Sequence, residues 1–257
     1  MLLPTKATFT KTAYNFCKCM INFFRRLRQR LLTENKVSRY FFYAFGEIVL
    51  VVIGILIALS INNWNESQKE SALQKVYLKG IAQDLKKDVE QANAIIEDYL
   101  VPLNIINGLE PHFKLDAALR LENIDTTSLS FTKLFLRPNS FRSTKGTYSS
   151  LIADGKSNLI KNKILFQKVQ SIYDEQQIRV FSIYDDFKDR ENRMFADYSY
   201  EKYHWNYKML IEPKNNKTLA TLANFWDSGK YYCLYLNELI LKMDAVIDEI
   251  NKELEGN

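Results

Sequence analysis

The 257-residue chain has little glycine and proline, with eight residues of the first and five of the second. Because these residues form most turns, their scarcity disfavours a many-stranded β-sandwich or barrel and favours a few long helices. Three cysteines are too few for a disulfide scaffold, and two histidines leave little for a histidine-rich metal site. The chain is 47% hydrophobic and 25% charged, which excludes both a disordered chain and a membrane protein with many spans.

Basic charge is concentrated at the N-terminus. Residues 1–39 contain nine Lys and Arg and a single acidic residue, Glu34, although the whole chain has a net charge of only +5. A nucleic-acid-binding protein would spread basic charge over its folded surface, so nucleic acid is not a predicted partner. The basic segment stands directly before an apolar run, and this order predicts contact with a membrane.

The apolar run is Tyr40–Ile61, 22 residues with one charged side chain, Glu47. At ~1.5 Å per residue, a helix of this length spans about 33 Å, close to the ~30 Å of a bilayer's hydrocarbon core. Aromatic residues flank it, from Tyr40 at one end to Trp64 at the other, as at membrane interfaces. We predict a transmembrane helix over residues 40–64. The alternatives are a buried core helix and a cleavable signal peptide, although the run is long for either.

The basic flank predicts the orientation of this span. By the positive-inside rule, residues 1–39 are cytoplasmic and residues 65–257 lie outside, so the chain is expected in a bacterial inner membrane with a periplasmic C-terminal domain. Within the flank, Met20–Leu32 has apolar residues at helical spacing. This pattern predicts an interfacial helix whose arginines contact the anionic inner leaflet; the alternative is a topology signal alone. The arginines are Arg25, Arg26, Arg28 and Arg30.

Two stretches of sequence carry a resemblance to a known family. The first contains Phe23-Phe24-Arg25, Leu31–Asn35, Gly46–Leu59 and Ile61–Glu66, and the second contains Thr147–Leu151, Gly155, Leu159–Lys163 and Tyr173. In these motifs the chain resembles a membrane-anchored family of uncharacterised proteins from Bacteroidota, domain of unknown function 6090. The resemblance implies a single-span envelope protein with a helical domain and implies no activity. Because the family pattern begins near Met20, residues 1–19 are expected to precede the true start.

One face of the predicted span carries Glu47, Gly54 and Ala58. At 100° per residue, the two small residues lie within about 20° of the line through Glu47. A small-xxx-small pattern lets helices approach closely, and a carboxylate inside a span usually faces protein or water. We therefore predict a helix–helix contact, either with a second copy or with a partner's anchor. The alternative places Glu47 at the cytoplasmic interface and makes the small residues incidental.

Residues 65–257 are predicted to fold as one all-α domain, an antiparallel helical bundle. Apolar residues recur at helical spacing through most of it, and residues 103–146 are less regular. Gly155 is expected to close a helix, and Asn158 or Asn162 to cap the next. The predicted helices are 67–100 with a stop or kink near Pro102, 147–153, 163 to about 208, 218–226 with a break near Gly229, and 231–254.

Aromatic residues are dense in two places, on either side of a turn at Pro213. The plainer interpretation is one end of the bundle core. Because Tyr and Trp combine a large apolar area with a polar tip, the alternative is a surface for a protein partner or a small ligand. The candidate surface residues are Tyr198, Tyr203, His204, Trp205, Tyr207, Trp226 and Tyr231.

Recognisable catalytic motifs are missing from the sequence. His112 and His204 stand apart from other ligand-type residues, and neither a Walker loop, GxGxxG nor GxSxG occurs. We therefore predict no enzyme activity, no metal and no cofactor. The predicted function is a non-catalytic, single-pass interaction or scaffold protein of the cell envelope. The alternative is an extracytoplasmic sensor that binds a small ligand and signals through a partner membrane protein.

Overall fold

The computed structural model describes residues 37–123, 132–135, 139–197 and 216–256. Within these ranges every regular element is helical, which confirms the all-α prediction. The long helices are α1 (Val37–Leu109), α4 (Gln177–Asp197) and α5 (Asn216–Glu255). The shorter elements are α2 (Gly146–Ala153), α3 (Lys163–Ser171), a π-helical turn (Ile172–Gln176) and the 3-10 helices Ala117–Leu119, Thr132–Phe135 and Ser157–Leu159.

The chain divides into two compact units, Met1–Lys69 and Glu70–Asn257. The described part of the first unit is the beginning of α1, whose apolar side chains are exposed. In the second unit, α1 and the later helices share one hydrophobic core.

The first long helix extends beyond its predicted end. We expected a stop or kink near Pro102, but α1 continues to Leu109 with the proline inside it. A proline inside a helix costs about 3 kcal/mol, because it removes one backbone hydrogen bond and crowds the preceding turn. Leu103, Ile105 and Ile106 follow it and are at most 2% exposed. Burying each such side chain contributes about 1.5–3 kcal/mol, so the packing of this last turn outweighs the proline.

Contacts between the helices fix their directions within the second unit. Lys168 pairs with Glu249, and Arg190 bonds Asn224, so α3 and α4 run antiparallel to α5. By contrast, α1 and α4 run in the same direction, because Asp88 meets Gln177 and Tyr99 meets Phe187 further along both helices. The prediction that neighbouring helices are antiparallel therefore fails for α1 and α4. The chain returns between them through residues 110–162, which contain no long helix in their described part.

An extended segment, residues 139–145, lies along α1 and is called the strap here. Four of its backbone N–H groups donate to side chains of the long helices and not to a second strand. Arg142 N–H donates to Gln91 Oε1 at 2.7 Å, and Thr144 N–H donates to Asp88 Oδ1 at 2.8 Å. Phe141 N–H donates to the Tyr232 hydroxyl of α5 at 2.8 Å. The strap therefore owes its position to polar side chains distant in sequence.

Local signals around α2 and α3 behave as predicted. Gly155 has a φ of 66°, the left-handed conformation that ends a helix. Asn162 caps α3 by accepting a hydrogen bond from Leu165 N–H at 3.1 Å, so the cap is Asn162 and not Asn158. The start of α2 is different, because Asp84 on α1 accepts from Thr147 N–H at 3.1 Å and supplies a cap from another helix.

The last helix runs unbroken through Gly229, where we expected a break. The glycine is needed for packing: a Cβ there would lie 3.0 Å from Phe187 Cζ and 3.0 Å from Trp226 Cε3. Both rings are at most 1% exposed. Gly229 therefore allows α4 and α5 to approach closely at the centre of the core.

Replacing Gly229 with alanine is expected to lower the free energy of unfolding by about 1–2 kcal/mol, because the new methyl group overpacks two rings that cannot move away. Gly108, near the end of α1, is the matched control, since a Cβ there meets nothing within 4 Å. Gly108→Ala is expected to stabilise the helix by about 0.5–1 kcal/mol. Urea denaturation of both variants measures the difference, and effects of the same sign would contradict this role for Gly229.

Candidate functional site

A cavity of about 310 Å³ opens between the strap, the π-helical turn and α4. The strap contributes Phe141, Arg142, Ser143 and Lys145 to its lining. The helical side contributes Tyr173, Gln177, Ile178 and Phe181. Its volume is at the lower end of the range for small-molecule sites, ~300–1,000 Å³.

A chain of hydrogen bonds holds the polar side of this cavity. The Ser143 hydroxyl donates to Gln177 Oε1, and Gln177 Nε2 donates to Asp88 Oδ2 at 2.9 Å. Asp88 is 1% exposed and also accepts from the backbone of Thr144. Burial raises the pKa of Asp88 above its ordinary value, because the charged form loses its hydration. One buried carboxyl group thus joins α1, the strap and α4.

The π-helical turn brings two tyrosines together beside the cavity. Tyr173 stacks on Tyr148 of α2 with ring centroids 4.6 Å apart, and the Tyr148 hydroxyl donates to Asp174 Oδ2 at 2.8 Å. The Tyr173 hydroxyl is buried and has no hydrogen-bond partner among the described residues. A buried donor without a partner costs about 1–3 kcal/mol, and π-helical turns are frequent at functional sites. Because its oxygen is closed to solvent, Tyr173 offers the cavity its ring and not its hydroxyl.

The charged residues of the lining are both basic. Arg142 and Lys145 have exposed side chains, and neither has an ion-pair partner in the part of the chain that the structure describes. The apolar residues Ile178 and Phe181 are each 58% exposed, which is high for large hydrophobic side chains. The cavity therefore combines a positive strap side with an uncovered apolar wall on α4.

Most side chains of the predicted span are exposed in this structure. In the described residues, one helix is long and apolar enough to cross a membrane, and none of its most apolar 18-residue window is buried. This exposure contradicts the buried-core-helix alternative. A Cβ at Gly54 would meet nothing within 4 Å, and Ala58 is exposed, so this part of the predicted contact face is open. Glu47, on the same helix, is partly buried.

The predicted aromatic surface is only partly described. Trp226 is 1% exposed and its indole N–H donates to the carbonyl of Leu134 at 3.0 Å, so it belongs to the core and not to a surface. Tyr231 is 49% exposed, and its role as a contact residue stays a prediction. Tyr198, Tyr203, His204, Trp205 and Tyr207 lie outside the described residues, as do Arg25, Arg26, Arg28 and Arg30.

His112 and Cys233 are the histidine and the cysteine that the structure describes, and side chains of both types can bind a metal or react. His112 is exposed, and no group of three or more potential metal ligands occurs in the ranges described above. Cys233 is a free, buried cysteine, and burial raises the pKa of its thiol. Because thiolates are the reactive form, Cys233 is expected to be inert at neutral pH.

Sequence reasoning missed the cavity. It placed the strap in the less regular stretch 103–146, and it assigned no role to Asp84 or Asp88. The one available signal was the register of Asp88, which falls among the apolar positions Leu85, Val89 and Ala92. A buried acid needs hydrogen-bond donors, but its partners lie 56 and 89 residues away in the chain.

Comparison with known proteins gives a family but no neighbour. No curated protein and no solved structure matches the chain. A model of a family of unknown function (DUF6090) matches residues 47–195, more than half of the chain. The matched range begins inside the candidate span and includes the strap and every residue that lines the cavity. The chain is therefore a member of this family of unknown function.

Proposed function

We propose that the protein is a single-pass, membrane-anchored helical module of the bacterial cell envelope that acts by recognition and not by catalysis. The observation that carries this proposal is the exposed apolar window of α1. Soluble proteins rarely expose large continuous apolar surfaces, because each Å² of apolar area left in water costs about 25 cal/mol. Insertion into a bilayer removes this cost.

The proposed orientation places residues 1–39 in the cytoplasm and the folded unit after Lys69 in the periplasm. It rests on nine basic residues before the span and on the mixed charges after it. The arginines Arg25, Arg26, Arg28 and Arg30 would then contact anionic lipids of the inner leaflet, each contributing ~1 kcal/mol. In this arrangement the folded unit is held at the periplasmic surface, where it presents its surface to a partner.

The use of acidic groups in the folded unit supports recognition over catalysis. Asp84 caps α2, Asp88 holds the strap and Gln177, and Asp174 accepts from Tyr148. These carboxyl groups are committed to binding the protein's own backbone and side chains. These carboxyl groups therefore help to fix the shape of the folded unit, and a protein that acts by recognition depends on a fixed surface shape.

The face with Glu47, Gly54 and Ala58 is proposed to contact a second copy or a partner's anchor. We expect Gly54→Leu plus Ala58→Leu to raise the dissociation constant of the associated form about tenfold, because the larger side chains keep the helices apart. Val49→Leu plus Val52→Leu, on the opposite face, is the control and is expected to change nothing. Crosslinking or single-molecule counting in nanodiscs measures the association. An unchanged association in both double variants would reject the contact.

The cavity supports a second candidate function, an extracytoplasmic small-ligand sensor. Asp88 connects the cavity's Gln177 to α1, and α1 is one continuous helix from Val37 to Leu109. A ligand that moves the strap or the Gln177 side chain would therefore disturb the hydrogen bonds of Asp88, which is part of the helix that contains the candidate span. A sensor of this kind needs a partner membrane protein, which the small-residue face would provide.

A further inference from the structure

The cavity beside the strap has the properties of a binding site for one chemical class. Its apolar wall consists of Phe141, Ile178 and Phe181, and its charged residues are Arg142 and Lys145. None of its lining residues is acidic. A ligand that matches both sides has an apolar body and a negative group.

The hydrogen bonds within the protein show which polar groups of the lining are free to bind a ligand. Gln177 uses its amide oxygen for Ser143 and its amide nitrogen for Asp88, so the hydrogen bonds it makes are internal ones. The charged groups left to a ligand are therefore the exposed side chains of Arg142 and Lys145, which donate hydrogen bonds and match an oxygen-rich anionic group.

We propose that the cavity between the strap and α4 binds a small organic carboxylate, with the carboxylate held by Arg142 and Lys145 and the apolar body placed against Phe141, Ile178 and Phe181. Arginine binds carboxylates through two parallel hydrogen bonds, which fixes the orientation of the ligand. The body of the ligand covers the two α4 side chains that are now 58% exposed.

This proposal deepens the sensor candidate and is independent of the orientation of the span. Binding is measured on the full chain in a neutral detergent, so a failure of membrane topology and a failure of the site give separate results. The probes are matched triplets with one apolar body each: phenylacetate, phenylacetamide and phenethylamine, then hexanoate, hexanamide and hexylamine. Ligand-observed NMR at about 5 mM suits compounds of this size.

We expect the acids to bind and their amides and amines to bind at least about tenfold more weakly, in line with the loss of a charge-assisted hydrogen bond. Arg142→Gln plus Lys145→Gln, which alters exposed side chains, is expected to remove the preference for acids. Failure of every acid to bind, equal binding of acids and amines, or an unchanged preference in this double variant would overturn the proposal.

Discussion

Replacement of Asp88 by alanine is expected to lower the free energy of unfolding by about 2–5 kcal/mol, because it leaves one buried and one half-buried donor without an acceptor. These donors are Thr144 N–H on the strap and Gln177 Nε2 on α4. The charge itself is not the source of stability, since burial raises the pKa of Asp88 and so disfavours its ionised form. The loss of stability arises because the two donors no longer have an acceptor.

Asp88→Asn is the matched control, and we expect it to cost much less than Asp88→Ala. Its remaining oxygen accepts from Thr144, and its amide group faces Gln177. Gln177 can turn its amide by 180°, because Ser143 is a hydroxyl that either donates or accepts. Chemical denaturation of the full chain in detergent, followed by near-ultraviolet circular dichroism, measures both variants. Equal losses for alanine and asparagine would contradict the hydrogen-bond network.

Because the pKa of Asp88 is raised in the folded state, the stability of the protein is expected to depend on pH. In the folded state the carboxyl group holds its proton to a higher pH than in the unfolded state, where its ordinary value is 3.8. The folded state therefore binds more protons in the interval between the two values, and folding becomes less favourable as pH rises through it. The stability of the native protein relative to Asp88→Asn is expected to fall across this interval and to be constant above it.

Replacement of Trp226 by alanine is expected to lower the free energy of unfolding by about 3–5 kcal/mol, the usual cost of removing a large aromatic side chain from a core. Its ring contacts Tyr99, with centroids 5.8 Å apart, and Phe225, with centroids 5.1 Å apart. Its indole N–H also satisfies the buried carbonyl of Leu134. Trp226→Phe keeps most of the ring but loses this hydrogen bond, so we expect it to lower the free energy of unfolding by about 1–3 kcal/mol.

Tyr231, five positions further along α5, is the matched control for Trp226. It is 49% exposed, and its ring lies under Lys230 Nζ at 4.9 Å from the centroid. Tyr231→Ala is therefore expected to change the free energy of unfolding by less than about 1 kcal/mol. Urea denaturation compares the variants. A large loss for Tyr231 together with a small loss for Trp226 would reverse our assignment of core and surface.

Local sequence signals predicted local structure well. The glycine after α2 and the asparagine before α3 act within a few residues of where they stand, and both are found in the expected roles. The same local rules failed at Pro102 and Gly229. There the energy of packing against distant residues outweighs the intrinsic preference of the backbone, and a single sequence does not show which distant residues are near.

The candidate site was beyond sequence reasoning for the same cause. The strap has no repeating pattern of its own, because its N–H groups bond side chains of α1 and α5 and not a partner strand. Asp84 caps a helix that begins 62 residues later. The long apolar helix, in contrast, was predictable because its apolar length is a property of consecutive residues.

Thiol labelling in spheroplasts tests the membrane anchor, on which the proposed function depends, more directly than any other measurement. Ser67 is exposed on α1 just after the candidate span, and Cys233 is buried, so Ser67→Cys in a chain with Cys17→Ser and Cys19→Ser carries one accessible thiol. We expect a membrane-impermeant maleimide to label this thiol in intact spheroplasts, and to label a cysteine placed instead at Asn22, before the span, only after lysis. Protection of the introduced cysteine until lysis, or recovery of the full chain in the soluble fraction without detergent, would contradict the account.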